Sequence, residues 1–164
     1  MLRTRALASL LPDPLEKEPQ TPLSADDKIA IQELSNTHVK LLDAHEVDAW
    51  AGLWVPDGQF VATYGTFTGH GAIKEFIRGH IAAGKEDGAR HLMTNYVIDG
   101  DGDRATSYCL VLKVQVEKAP HIIASGVYSD VVVRTPEGWR FESRRLDVDN
   151  GVFAAAAAAA AEQG

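Results

Sequence analysis

ARHLMTNYVIDGDGDRATSYCLVLKVQVEKAPHIIASGVYSDVVVRTPEGWRFESRRLDVD, residues 89–149, is the stretch that decides the fold. It breaks at Asp99-Gly100-Asp101-Gly102, at Ala119-Pro120 and at Pro136-Glu137-Gly138, all turn-forming combinations. The pieces between them, His91–Ile98, Arg104–Val116, Ile122–Arg134 and Trp139–Val148, are rich in β-branched and aromatic residues and read as strands. In the second piece Tyr108, Leu110, Leu112, Val114 and Val116 recur at period two and share one face. Consecutive strands joined by short turns imply an antiparallel sheet.

Upstream of the sheet the period changes from two to that of a helix. Ser24 precedes Ala25-Asp26-Asp27, an N-cap followed by acids in the first turn. Ile31, Leu34, His38, Leu41 and Leu42 then recur at helical spacing up to Asp43. A second short helix is expected from about Glu46 to Leu53, a turn at Pro56-Asp57-Gly58, and a strand over Gln59–Thr63. Gly69-His70-Gly71 opens a third helix that carries Ile73, Phe76, Ile77 and His80 on one face. Helices first and strands afterwards make an α+β fold. Such a sheet curls around its helices and leaves a concave pocket suited to a small molecule.

The ends differ in composition. Residues 1–24 hold Pro12, Pro14, Pro19 and Pro22, too many for a helix to continue after about residue 11. They read as an extended arm, and their apolar patch is too short and interrupted for a secretory signal. Residues 151–164 contain the run Ala154–Ala161, read as a frayed tail, which leaves residues 25–150 as the domain. The 164-residue chain is 45% hydrophobic and 24% charged, enough for a core without staples. Its formal net charge of −7 and the lack of a basic stripe argue against nucleic-acid binding. No stretch is apolar enough to cross a membrane, so a cytoplasmic protein is expected. The single cysteine, Cys109, lies in an apolar run and reads as a small buried residue. No Cys/His cluster has zinc-ligand spacing.

The segments DDKIAIQELSNTHVKLLDAHEVDAWAGLWVPDGQF, GTFTGHGAIKEFI, RHLMTN and GVYSDVVVRTPEGWRFESRRLDVD together resemble the SnoaL-like branch of the nuclear-transport-factor-2-like superfamily. The resemblance covers about residues 25–150 and is nearest to the group of scytalone dehydratase, bile-acid 7α-dehydratase and hexachlorocyclohexane dehydrochlorinase. It implies a cone-shaped α+β barrel, with N-terminal helices in the concave face of a curved, mostly antiparallel sheet. It also implies a catalytic dyad of Asp43 and His91, no metal or organic cofactor, and a homodimer or homotrimer. Leu42, Gln115 and Asp130 stand where scytalone dehydratase has tyrosine, histidine and asparagine, so a scytalone-type pocket is not expected.

In such a dyad the aspartate fixes the tautomer of the imidazole and raises its pKa, which makes a general base. Other residues are candidates for binding substrate. Tyr128 and Asp130 share a face of one strand, either the cavity face or the outer one. Arg144 and Arg145 are adjacent, so one points inward, where it could stabilise an oxyanion. His38 could line the pocket mouth, and Phe60 could touch a hydrophobic or aromatic ligand. His45, His70, His80 and His121 read as surface or loop residues. The expected activity is a cofactor-independent lyase, of dehydratase or dehydrohalogenase type, or a related isomerase or cyclase. The alternative is a noncatalytic binding or assembly module resembling a ring-hydroxylating dioxygenase β subunit.

Overall fold

A computed structural model of the chain describes residues 21–149 except Tyr64 and Lys118. The proline-rich arm up to residue 20 and the alanine-rich tail lie outside the described residues. The elements run α1 (Ala25–Asp43), α2 (Val47–Ala51), β1 (Trp54–Ala62), β2 (Gly65–Thr68), α3 (Gly69–Ala82), β3 (Ala89–Asp101), β4 (Arg104–Gln115), β5 (His121–Thr135) and β6 (Gly138–Val148).

Helix α1 begins where its cap residue predicts. The Ser24 hydroxyl accepts the Asp27 backbone N–H at 3.1 Å, and the Asp27 carboxylate takes the Ser24 N–H in return, which closes a capping box. Its buried residues are Ile31, Leu34, Ser35, His38, Val39 and Leu42, one stripe at helical spacing turned toward the sheet. Helix α2 is shorter than its expected span and ends at Ala51, because the chain turns into β1 at Trp54.

The strands form one curved, unclosed sheet in the order β2-β1-β6-β5-β4-β3. The α+β cone is therefore an open sheet wrapped on its helices, with β2 and β3 as its edge strands and Pro22 bridged to Asp101 at the end of β3. Neighbours are antiparallel except β1 and β6, which run parallel and bring the N-terminal part of the chain back beside the last strand. The anticipated turn at Pro56-Asp57-Gly58 is an irregularity inside β1. Trp54 pairs with Phe141 and Gln59 with Ser143, so β1 carries more residues than β6 over that span. Likewise β3 continues through Asp99 and Gly100 to pair Asp101 with Arg104, and the tight turn is Gly102-Asp103, with Gly102 at φ +54°.

A bulge between Thr94 and Val97 bends β3, with Asn95 at φ +57°, a conformation that asparagine tolerates better than most residues. It reverses which side chains face inward, from His91 and Met93 before it to Tyr96 and Ile98 after it. The Tyr96 hydroxyl donates to Asn36 Oδ1 on α1 at 2.6 Å, tying the bent strand to the helix. In β4 the inward set is Ala105, Ser107, Cys109 and Val111. The period-two stripe that includes Tyr108 and Leu110 is the outer face. Leu92, Val97, Tyr108 and Ile122 are among its exposed apolar residues.

The core between helices and sheet is aromatic, with Trp50, Trp54, Phe60, Trp139 and Phe141 buried beside Ile31, Ile73 and Ile77. His38 sits in its middle, fully buried, with ring centroids of Trp50, Trp54, Tyr128 and Phe141 between 5.1 and 6.0 Å away. Neither of its ring nitrogens has a hydrogen-bond partner among the described residues. Burial, then the charges of Arg144 and His91, hold its pKa well below the ordinary 6.5. The native state thus keeps His38 neutral while the unfolded chain takes up a proton below about pH 6.5. Its contribution to stability is complete above that pH and is lost as the pH falls. We expect a His38→Leu variant to lose less stability between pH 6.5 and 5 than wild type, with a difference in slope that approaches about 1.4 kcal/mol per pH unit toward pH 5. Urea unfolding at both pH values measures this, and parallel slopes would contradict it.

Candidate active site

The concave face forms an open-mouthed cavity of about 380 Å³ between α1, α2, α3 and the sheet. Most of its wall is apolar, built from Leu42, Trp50, Phe60, Phe76, Ile77, Val111 and Leu146. Its charged and imidazole side chains gather where the end of α3, the start of β3 and the end of β4 meet: His80, Lys85, Glu86, His91 and Lys113, while Ser125 and Tyr128 on β5 add hydroxyl groups.

Asp43, the last residue of α1, and His91, near the start of β3, come together there. The His91 Nδ1 lies 2.6 Å from Asp43 Oδ1, and the His91 backbone N–H donates to Asp43 Oδ2 at 3.2 Å. One carboxylate therefore grips both the ring and the main chain of the histidine. A carboxylate at a helix C-terminus opposes the helix dipole, and these two N–H donors offset that cost. A carboxylate only accepts hydrogen bonds, so Nδ1 carries the hydrogen, and in the neutral ring the lone pair is on Nε2. Asp43 stands behind His91, and only the histidine lines the cavity. Both side chains are largely shielded from solvent, His91 at 8% and Asp43 at 15% exposure.

Sequence reasoning missed Glu86 and Lys113. Glu86 follows α3 in a turn, yet its side chain is only 6% exposed. Its Oε2 accepts from Lys113 Nζ at 2.5 Å and lies 3.9 Å from His91 Nε2. Lys113 also donates to the backbone carbonyl of Lys85 at 2.7 Å. The available signal was Lys113 itself, a lone cation in the apolar run LVLKVQV. It sits on the same alternating face as Cys109 and Val111. His80, expected at the surface, lines the cavity too, with its ring centroid 4.4 Å from that of Phe76. Burial, then Lys85 and Lys113, lower its pKa.

The remaining candidates divide. Phe60 and Tyr128 line the cavity, as the inward reading expects. Burial raises the Tyr128 phenol pKa, so it remains an O–H donor at neutral pH. Asp130 faces inward with it but does not reach the cavity, because it is spent on Arg144. Arg144 Nε and Nη2 each donate to an Asp130 carboxylate oxygen at 2.8 Å, and Nη2 also donates to Ser35 Oγ at 3.0 Å. Its guanidinium lies 4.2 Å from the ring centres of both Tyr128 and Phe141. Arg144 is the inward arginine, but it is buried behind the wall and does not line the cavity. Arg145 faces the other way, 58% exposed beside Asp147, and is no substrate ligand of this cavity. His38 is enclosed by the aromatic core and does not line the pocket mouth. Burial pushes the Cys109 thiol up to about 12, which removes it as a nucleophile.

Among the described residues no group of three or more His, Cys, Asp or Glu is arranged to hold a metal ion. Among them, no helix is long and apolar enough to cross a membrane.

Residues 24–145 match the SnoaL-like domain family. The chain belongs to that family. Solved structures agree with the assignment. An NTF2-like protein with a cystatin-like fold from Novosphingobium aromaticivorans is 27% identical, with a TM-score of 0.71 over 80% of this chain and 88% of that one. A protein from the same organism, provisionally described as an aromatic ring hydroxylase, is 25% identical, with a TM-score of 0.66 over 77% and 91%. ActVI-ORFA from Streptomyces coelicolor shares the fold at 24% identity, with a TM-score of 0.63 over 74% and 94%. No curated protein sequence matches the chain. As a SnoaL-like domain with a largely apolar, open-mouthed cavity, the chain is a small-molecule enzyme or binder.

Proposed function

We propose that this SnoaL-like chain is a cofactor-independent lyase or isomerase that uses His91 as general base on a small hydrophobic substrate. The observation that carries the reading is the 2.6 Å contact between Asp43 and His91 Nδ1, which leaves the Nε2 lone pair at the cavity wall. Nε2 takes a proton from carbon, and the C–H electron pair moves toward an adjacent activating group. When a leaving group stands on the next carbon, that pair forms the C=C bond and expels it. The proton on Nε2 then accompanies a departing hydroxide as water, or goes to solvent when halide leaves. Without a leaving group the proton returns elsewhere and the product is an isomer. Asp43 holds the ring and stabilises the imidazolium throughout.

The wall of Trp50, Phe60 and Phe76 supports an aromatic or polycyclic substrate, and so does the description of the 25% identical structure. The exposed apolar stripe on the outer sheet face supports assembly into a homo-oligomer.

A panel of cyclic aryl ketones and their β-hydroxy derivatives, incubated with the protein in D2O, tests the reading. Deuterium should appear at the α-carbon, and β-hydroxy members should lose water. Tight binding across the panel with neither exchange nor elimination would favour the noncatalytic binding module.

A further inference from the structure

The Glu86–Lys113 pair goes beyond the dyad. His91 and Lys113 are directly paired across β3 and β4, and both line the cavity. Lys113 Nζ and His91 Nε2 stand 2.5 and 3.9 Å from the same Glu86 oxygen. A proton acceptor and a cation are thus held side by side at the polar end of an otherwise apolar cavity. An ammonium has three N–H donors. Two of them go to Glu86 and to the Lys85 carbonyl, which leaves one beyond these bonds.

We propose that Lys113 is a further catalytic residue, and that it selects neutral, largely apolar substrates whose acidic C–H lies next to a carbonyl group. The inference rests on the general-base reading of His91. As Nε2 takes the proton from the α-carbon, the C–H electron pair becomes the C=C of an enolate and the carbonyl π pair moves onto oxygen. The third N–H of Lys113 meets the charge that grows on that oxygen. Donors fixed before the charge develops stabilise the transition state most, because the site does not reorganise during the reaction. Glu86 serves as a positioning residue: it pins the ammonium beside Nε2 and prevents it from swinging into solvent.

Charge balance sets the rest of the substrate class. Lys113 is paired with Glu86, and with Asp43 counted behind His91 the formal charges of Lys85, Lys113, Glu86 and Asp43 sum to zero, so this end as a whole carries no net positive charge to attract a carboxylate or phosphate. A neutral carbonyl compound uses Lys113 without upsetting that balance. A haloalkane that lacks a carbonyl has no oxygen to offer it.

The experiment uses 2-naphthol, an apolar aromatic whose anion carries its charge on oxygen as an enolate does. Its absorbance distinguishes naphthol from naphtholate. It is titrated into wild type, His91→Ala, Lys113→Met and the double variant Glu86→Gln/Lys113→Met, with circular dichroism of each. The double variant removes both charges, so a folding failure caused by an unpaired Glu86 is separated from a loss of function.

Wild type should bind 2-naphthol partly as the anion. Removing one such donor lowers rates by about 10²–10³-fold, and a ground-state anion should register at least about tenfold of this as a fall in the bound naphtholate-to-naphthol ratio. That fall is expected in the folded lysine variants, with neutral naphthol still bound. Naphtholate that disappears in His91→Ala but persists unchanged in both lysine variants would overturn the role of Lys113 and leave the base intact. Wild type that binds naphthol only in neutral form would overturn the base reading, and this inference with it. No binding of 2-naphthol by wild type would overturn the substrate class.

Discussion

Replacing His91 by alanine should lower the α-carbon deuterium exchange rate by about 10²–10⁴-fold, the range a positioned general base supplies. Thermal unfolding should drop modestly with the fold intact, since loss of the ring takes one donor from the largely shielded Asp43 carboxylate, which keeps the backbone N–H of residue 91. Asp43→Asn should lose a comparable factor by a different route. Its amide can donate to Nδ1, which would move the imidazole hydrogen onto Nε2 and remove the lone pair from the cavity. Amide replacement of the acid in a Ser-His-Asp triad costs about 10⁴ for that reason. Exchange rates of the two variants measure the loss, and nitrogen-15 NMR of the His91 ring reads the tautomer directly. Exchange within a factor of a few of wild type in His91→Ala would sink the mechanism. Slow exchange in Asp43→Asn with an unchanged tautomer would assign Asp43 a purely electrostatic role.

The fold and the Asp43–His91 contact were legible in the sequence because their signals are local or carried by motif. The cap at Ser24, the helical stripe up to Leu42 and the tight turn at Pro136-Glu137-Gly138 each follow from a few neighbouring residues. Which side chains enter the cavity was not legible, and bulges are the reason. In β6, Val131 of β5 pairs with Ser143 while Val132 pairs with Phe141, so Glu142 is an extra residue. The inward set changes there from Trp139 and Phe141 to Arg144 and Leu146, a reversal that no alternation of apolar and polar residues announces. Strand β3 reverses at Asn95 in the same way. In β4 the difficulty was different. Both faces are apolar, and the larger side chains, Tyr108 and Leu110 among them, lie on the outside. Size and hydropathy therefore pointed away from the face that bears Lys113. Glu86 gave no signal, because an acid in a turn is ordinarily solvated, and its burial depends on the partner Lys113.

Arg144→Met should be the most destabilising of these single substitutions. The guanidinium and the Asp130 carboxylate are both completely shielded from solvent at the level of their side chains. Burial alone would push the Arg144 pKa down, but the charge and hydrogen bonds of Asp130 outweigh it, and the pKa ends above its ordinary value. Removal of the arginine leaves a buried carboxylate without either of its 2.8 Å donors. Breaking such a pair from one side costs about 3–5 kcal/mol, a large part of the roughly 5–15 kcal/mol that holds a domain together. The two rings stacked on the guanidinium, Tyr128 and Phe141, lose their contact as well. The double variant Arg144→Met/Asp130→Leu removes both charges and should recover most of that loss, since replacing a whole buried pair by apolar groups is often neutral. Urea unfolding of the single and double variants measures both effects. The same pair separates structure from chemistry, because Arg144 supports the cavity wall from behind through Tyr128 without touching the space where substrate lies. The double variant should therefore keep most of its exchange activity at a temperature where it is folded. A stable double variant with no activity would make Arg144 part of the catalytic machinery and would require the wall at Tyr128 to open during turnover.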